Sequence, residues 1–157
     1  MGCDIHVWIE KRVDGTWKPV RVQPDDKGWS CAHDGSRWED TLPSEWDIER
    51  WYPLFTALAG VRDDRTTEHV LGCQRVGGYF VDPLRGWPKD GGEDVRRERQ
   101  MIEHSPSWLT LAELNAYDWD KNALYDFRDG HLQDMNKVAT REGVSPDNFR
   151  LVFYFDS

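Results

Sequence analysis

The chain has 157 residues, of which 38% are hydrophobic and 13% aromatic. A compact chain of this length removes about 68–70% of its unfolded surface from water, so one domain can fold without disulfides or metal. No apolar run approaches the roughly 20 residues that cross a bilayer, which excludes a spanning helix. The 29 Asp and Glu outnumber the 20 Lys and Arg, for a net charge of −9. That balance opposes the attraction behind nonspecific binding to duplex nucleic acid.

Residues 3–10 alternate, with Cys3, Ile5, Val7 and Ile9 on one side and Asp4, His6, Trp8 and Glu10 on the other, which predicts a strand. After Val13-Asp14-Gly15, a second β-rich run from Thr16 to Val22 predicts a hairpin, and Pro19 places this strand at a sheet edge. Residues 23–47 read as irregular. A helix is expected from about Pro53, a residue suited to a first helical position, carrying Leu54, Phe55, Leu58 and Val61. Residues 63–92 have no clear period and read as a long functional loop region. Glu93 to His104 reads as a charged helix. Thr110-Leu111-Ala112-Glu113 fits a capping box that opens a short helix. A last helix is expected within residues 131–142, ending at Gly143. The chain closes on a strong strand, Phe149 to Phe155, with Phe149, Leu151, Phe153 and Phe155 on one side. The expected fold is α+β: a single domain whose antiparallel sheet is built from the N-terminal hairpin and the C-terminal strand, with several short helices and long loops.

Three groups of residues could carry chemistry. Asp4, His6 and Glu10 share a strand face, where an Asp-x-His pair offers either two metal ligands or a carboxylate that orients an imidazole. His104, read as the end of a helix and followed by Ser105, could join His6 as an acid/base pair near neutral pH. The plainer reading of Asp4 and His6 is a solvated or helix-covered strand face. Cys31, His33, His69 and Cys73 are ligand types that zinc uses, but their spacing is poor and buried Cys are commonly small apolar fillers. Arg50, Tyr52, Phe55, Arg62, Arg65, Arg85, Trp87, Trp108 and Trp119 combine guanidinium groups, which take phosphate bidentately, with rings that stack on bases. Core aromatics and Arg paired with the many carboxylates are the plainer reading of that set. No Gly-rich phosphate loop and no nucleophile elbow is present. The motifs require neither cofactor nor metal.

The sequence resembles a family of small bacteriophage and prophage proteins that begin Met-Gly-Cys-Asp-Ile-His. The likeness runs through Met1-Gly2-Cys3-Asp4-Ile5-His6, then Arg50-Trp51-Tyr52-Pro53-Leu54-Phe55 and Leu58-Ala59-Gly60-Val61-Arg62. It continues in Arg85-Gly86-Trp87-Pro88 with Asp90, in His104-Ser105-Pro106-Ser107-Trp108-Leu109-Thr110-Leu111 with Tyr117-Asp118-Trp119, and in Arg150-Leu151-Val152-Phe153-Tyr154-Phe155-Asp156. The chain departs from the family at Pro106, where relatives often carry a second His. The resemblance implies a phage setting, in which small accessory proteins often act against host defence and several capture or destroy nucleotide-derived signals.

The resulting expectation is a counter-defence protein that binds and sequesters a small nucleotide-derived signalling molecule, such as a cyclic nucleotide. Its pocket would use Asp4, His6, Arg50, Tyr52, Arg62, Arg85, His104, Ser105 and Trp108. One alternative is a hydrolase or phosphodiesterase with His6 and His104 as catalytic acid and base. A second is an acidic protein that inhibits a host factor. The odd Cys count and an opening interrupted by Asp4 and His6 point to the host cytoplasm. Exposed sheet edges and surplus Trp leave a homodimer open.

Overall fold

The computed structural model describes residues 2–28, 44–62, 67–71, 74–76, 79–81, 84–100, 104–122 and 124–156. In chain order these form β1 (Asp4–Val13), β2 (Thr16–Pro19), β3 (Glu45–Trp46), α1 (Tyr52–Ala59), β4 (Gln74–Val76), β5 (Tyr79–Val81), α2 (Glu93–Glu98), β6 (His104–Thr110), α3 (Leu111–Ala116), α4 (Tyr125–Phe127), α5 (Gln133–Arg141) and β7 (Phe149–Asp156). A π turn, Arg128–Leu132, joins α4 to α5. The fold is α+β, built on a five-stranded antiparallel sheet of order β2-β1-β7-β6 with β3 also paired to β1. As expected, the N-terminal hairpin and the C-terminal strand share this sheet. Strands β4 and β5 make a separate two-stranded hairpin.

The hairpin turns on Asp14 and Gly15, both at positive φ (51° and 77°), the pair of values a two-residue turn needs to follow the strands' twist. β2 ends at Pro19, which has no N–H to continue the ladder, and lies at the sheet edge. β7 is the central strand, pairing with β1 from Asp4↔Asp156 to Lys11↔Phe149 and with β6 on its other side. Alternation then sorts the sheet into two faces. Ile5, Val7, Ile9, Leu109, Leu151, Phe153 and Phe155 enter the main core with Phe55, Leu58, Leu114, Met135 and Val138 from the helices. On the other face Trp8, Val152 and Tyr154 meet Val95 of α2, with Trp87 and Trp108 against them. Ser44 ties this cover to β3, its buried hydroxyl donating to Asp94 at 2.6 Å.

Three elements differ from the sequence reading. The charged helix stops at Glu98, and His104 opens strand β6 instead of closing a helix. Pro106 lacks the N–H that a helix interior requires, whereas burial of Ser107 and Leu109 on alternate positions suits a strand. Glu45 and Trp46, read as irregular, pair with Trp8 and Val7. Residues 63–92 contain the β4–β5 hairpin. The last helix, α5, lies within the expected residues 131–142, preceded by α4 and the π turn, and its final turn closes on Gly143 at φ 70°. The capping box forms as read: Thr110 Oγ1 accepts from the Glu113 amide at 3.2 Å while Glu113 Oε2 accepts from the Thr110 amide at 2.8 Å.

Candidate functional site

β1 begins where β7 ends, and this end of the sheet gathers most of the residues singled out above. A Cβ on Gly2 would lie 2.3 Å from Arg50 Nη1, so a larger residue there would displace the guanidinium from its place over the chain. Arg50 donates from Nε to Asp4 Oδ1 and from Nη2 to Asp4 Oδ2, each at 2.8 Å. That fork holds the Asp4 carboxyl below its ordinary range. The Asp4 amide donates to Asp156 Oδ1 at 3.1 Å, fastening the first strand to the last. Next to Asp4, Cys3 is buried; burial pushes its thiol up, against the neighbouring Arg62. Arg62 sits at φ 55° in the turn after α1, and its guanidinium lies 5.6 Å from the centre of the Tyr52 ring. Thr56 supports that turn, with its buried hydroxyl 3.2 Å from the Val61 carbonyl oxygen and 3.1 Å from that of Arg62. Tyr52 is 37% exposed.

On the strand face it shares with Asp4, His6 lies between two carboxylates, with Nδ1 3.3 Å from Glu45 Oε1 and Nε2 3.0 Å from Asp156 Oδ2. The hydrogen bond to Glu45, then that to Asp156, outweighs burial and raises its pKa to about 9, so at neutral pH it is an imidazolium that donates to both. Its ring stacks on Tyr154 at 4.9 Å, and Tyr154 stacks on Trp8 at 5.2 Å. Glu98 receives the Tyr154 hydroxyl at 3.2 Å, and burial raises its carboxyl.

The structure divides the expected pocket. Asp4, Arg50, Tyr52 and Arg62 come together, with His6 across the sheet from Tyr52. His104 is paired with Phe155 and stacks on it at 6.0 Å, whereas His6 is paired with Tyr154. Adjacent positions on β7 point to opposite faces, so the two imidazoles lie on opposite sides of the sheet and cannot act as acid and base on one bond. Ser105, at φ 57° on the bulge of β6, stays beside His104, its Oγ 3.0 Å from Nδ1. Arg85 and Trp108 form another locus: Arg85 pairs with Glu113 and lies 4.4 Å over the Trp108 ring. Arg150 occupies the space between Trp108 and Trp17, at 5.3 and 4.0 Å, and its Nε donates to the buried Glu10 at 2.8 Å.

Of the zinc-type residues, Cys31, His33 and Cys73 lie outside the described residues, as does Arg65. His69 is buried, accepts the Leu71 amide at Nδ1 (3.1 Å) and hydrogen-bonds the Leu58 backbone; burial lowers its pKa to about 4. Among the described residues no group of three His, Cys, Asp or Glu side chains is arranged to hold a metal ion. Sequence reasoning missed Gly2, Glu45, Tyr154 and Asp156 as parts of this end of the sheet. The β7 alternation and the repeated Asp at each terminus were the available signals. No family model, curated relative or solved structure matches the chain.

Proposed function

We propose that the chain is a phage accessory protein that captures a small nucleotide-derived molecule at the β1–α1 end of the sheet without cleaving it. The observation that carries this reading is the convergence of Arg50 and Arg62 on Gly2-Cys3-Asp4 beside the exposed Tyr52 ring. Guanidinium groups bind phosphate in a planar fork, and an exposed aromatic face stacks on a base. Arg50 is 48% exposed at its side chain although paired with Asp4, so an incoming phosphate can compete for it without first opening the core. Asp4 would then be released toward a ribose hydroxyl.

Two features favour capture over hydrolysis. The imidazoles of His6 and His104 face opposite sides of the sheet, and the His6 ring, already protonated at neutral pH, is no general base. The test incubates cyclic di- and trinucleotides and ADP-ribose derivatives with excess protein, filters, denatures the retained fraction and weighs what is released. Capture predicts that a compound leaves the filtrate and returns intact, and that Arg50→Ala and Tyr52→Ala each release it. Recovery of a shortened product would replace capture by hydrolysis. Filtrates that keep every compound unchanged would dismiss the nucleotide reading in favour of a protein partner.

A further inference from the structure

A cleft of about 400 Å³ opens between the end of α3 and the π turn. Its polar lining is fixed in place. Asn115 and Asn136 exchange amide hydrogen bonds at 2.9 and 2.8 Å, and the Asn136 amide also donates to the Leu132 carbonyl at 2.8 Å. Arg128 is held by Asp129 at 2.7 and 3.0 Å and by Asp120 at 2.5 Å. Tyr117 and Trp119 stand edge to face at 4.6 Å along the wall.

The backbone here departs from an α-helix. The Gln133 amide reaches back to the Arg128 carbonyl, five residues earlier, so the π turn inserts one residue between α4 and α5. Such turns are less stable than α turns and concentrate at functional sites. This one brings Arg128, Asp129, Leu132 and Gln133 together on the cleft.

The lining has the chemistry of hydroxyl recognition. Planar amides, a guanidinium and carboxylates each present paired donors or acceptors, which match adjacent hydroxyls, and the part-exposed Tyr117 ring, backed by the buried Trp119, suits the C–H face of a sugar ring. Three carboxylates, Asp118, Asp120 and Asp129, against Arg128 alone repel phosphate, which separates this cleft from the Arg50 and Arg62 locus. We propose that this cleft binds a neutral sugar, free or as a unit of a glycan.

The test titrates methyl glycosides of the common hexoses, N-acetylglucosamine and inositol into the ¹⁵N-labelled full chain while following the side-chain amide signals of Asn115, Gln133 and Asn136. At least one sugar should move all three signals with saturation at millimolar concentration or below. Gln133→Leu and Asn115→Ala should each weaken that binding about tenfold, the loss expected for one neutral hydrogen bond. Both should keep the parent's backbone amide spectrum away from the cleft, which shows that the variants fold. The proposal falls if no sugar moves these signals, if both variants bind as the parent does, or if calcium alone moves them.

Discussion

His6 illustrates how much one side chain's neighbours decide. In a free peptide an imidazole titrates near about 6.5; here Glu45 and Asp156 hold it at about 9. Because the folded value lies above the unfolded one, the pair of ion pairs contributes stability that is fully present below about pH 6.5 and is lost as pH rises through about 9. An NMR titration should place the His6 midpoint near 9. His6→Gln should destabilise the protein by about 1–2 kcal/mol near pH 6, with screening at these half-exposed carboxylates taken into account. It should also flatten the fall in unfolding free energy between pH 6.5 and 9, a difference that denaturant titrations at the two ends of that range would reveal. Equal pH dependence in parent and variant would show that His6 is not so clamped.

At the scale of elements, local chemistry and tertiary burial pull in different directions along the chain. Where a local signal is strong it prevails: Asp14-Gly15 turns the first hairpin, and Thr110 with Glu113 starts α3. Thr110→Ala leaves the Glu113 amide without its acceptor and should cost about 1 kcal/mol in chemical denaturation, with little change in Thr110→Ser. Where the signal is charge alone, as over Glu93 to His104, helix propensity extends only to Glu98. Beyond it Pro106 and the requirement to cover the edge of β7 make a strand of residues 104–110. That exchange of helix for strand also moves His104 to the face away from His6. A functional pairing read from residue types thus depends on one strand's register.

For the whole molecule, the central position of β7 imposes the severest demand, since both faces of its middle are covered. Arg150 is 1% exposed, and Glu10 on the neighbouring strand is equally buried; burial raises the Glu10 carboxyl even with Arg150 beside it. Gly92 donates its amide to Glu10, and Asp90 receives Arg150 Nη1 at 3.1 Å, so the α2 cover is fastened through this ion pair. Arg150→Met strands the Glu10 charge in the interior and should cost about 3–5 kcal/mol. Adding Glu10→Leu should recover most of that loss, because an apolar pair needs no compensation for lost hydration. A double-mutant cycle by thermal or denaturant unfolding checks this, and additive losses would contradict it.

The sequence by itself determined what depends on neighbours in the chain: the alternation of β1 and β7, the Asp14-Gly15 turn, the Pro53 start of α1 and the Thr110 cap are each written within a few residues. It also placed the candidate Asp4, Arg50, Tyr52 and Arg62 in motifs that the fold then brings together. Only the tertiary structure decided that β7 lies between β1 and β6, that Glu45 and Asp156 close on His6 from residues 39 and 150 positions away, and that His104 faces the other side. These outcomes depend on strand order and register, which are set by burying both faces of the sheet at once and have no local signature.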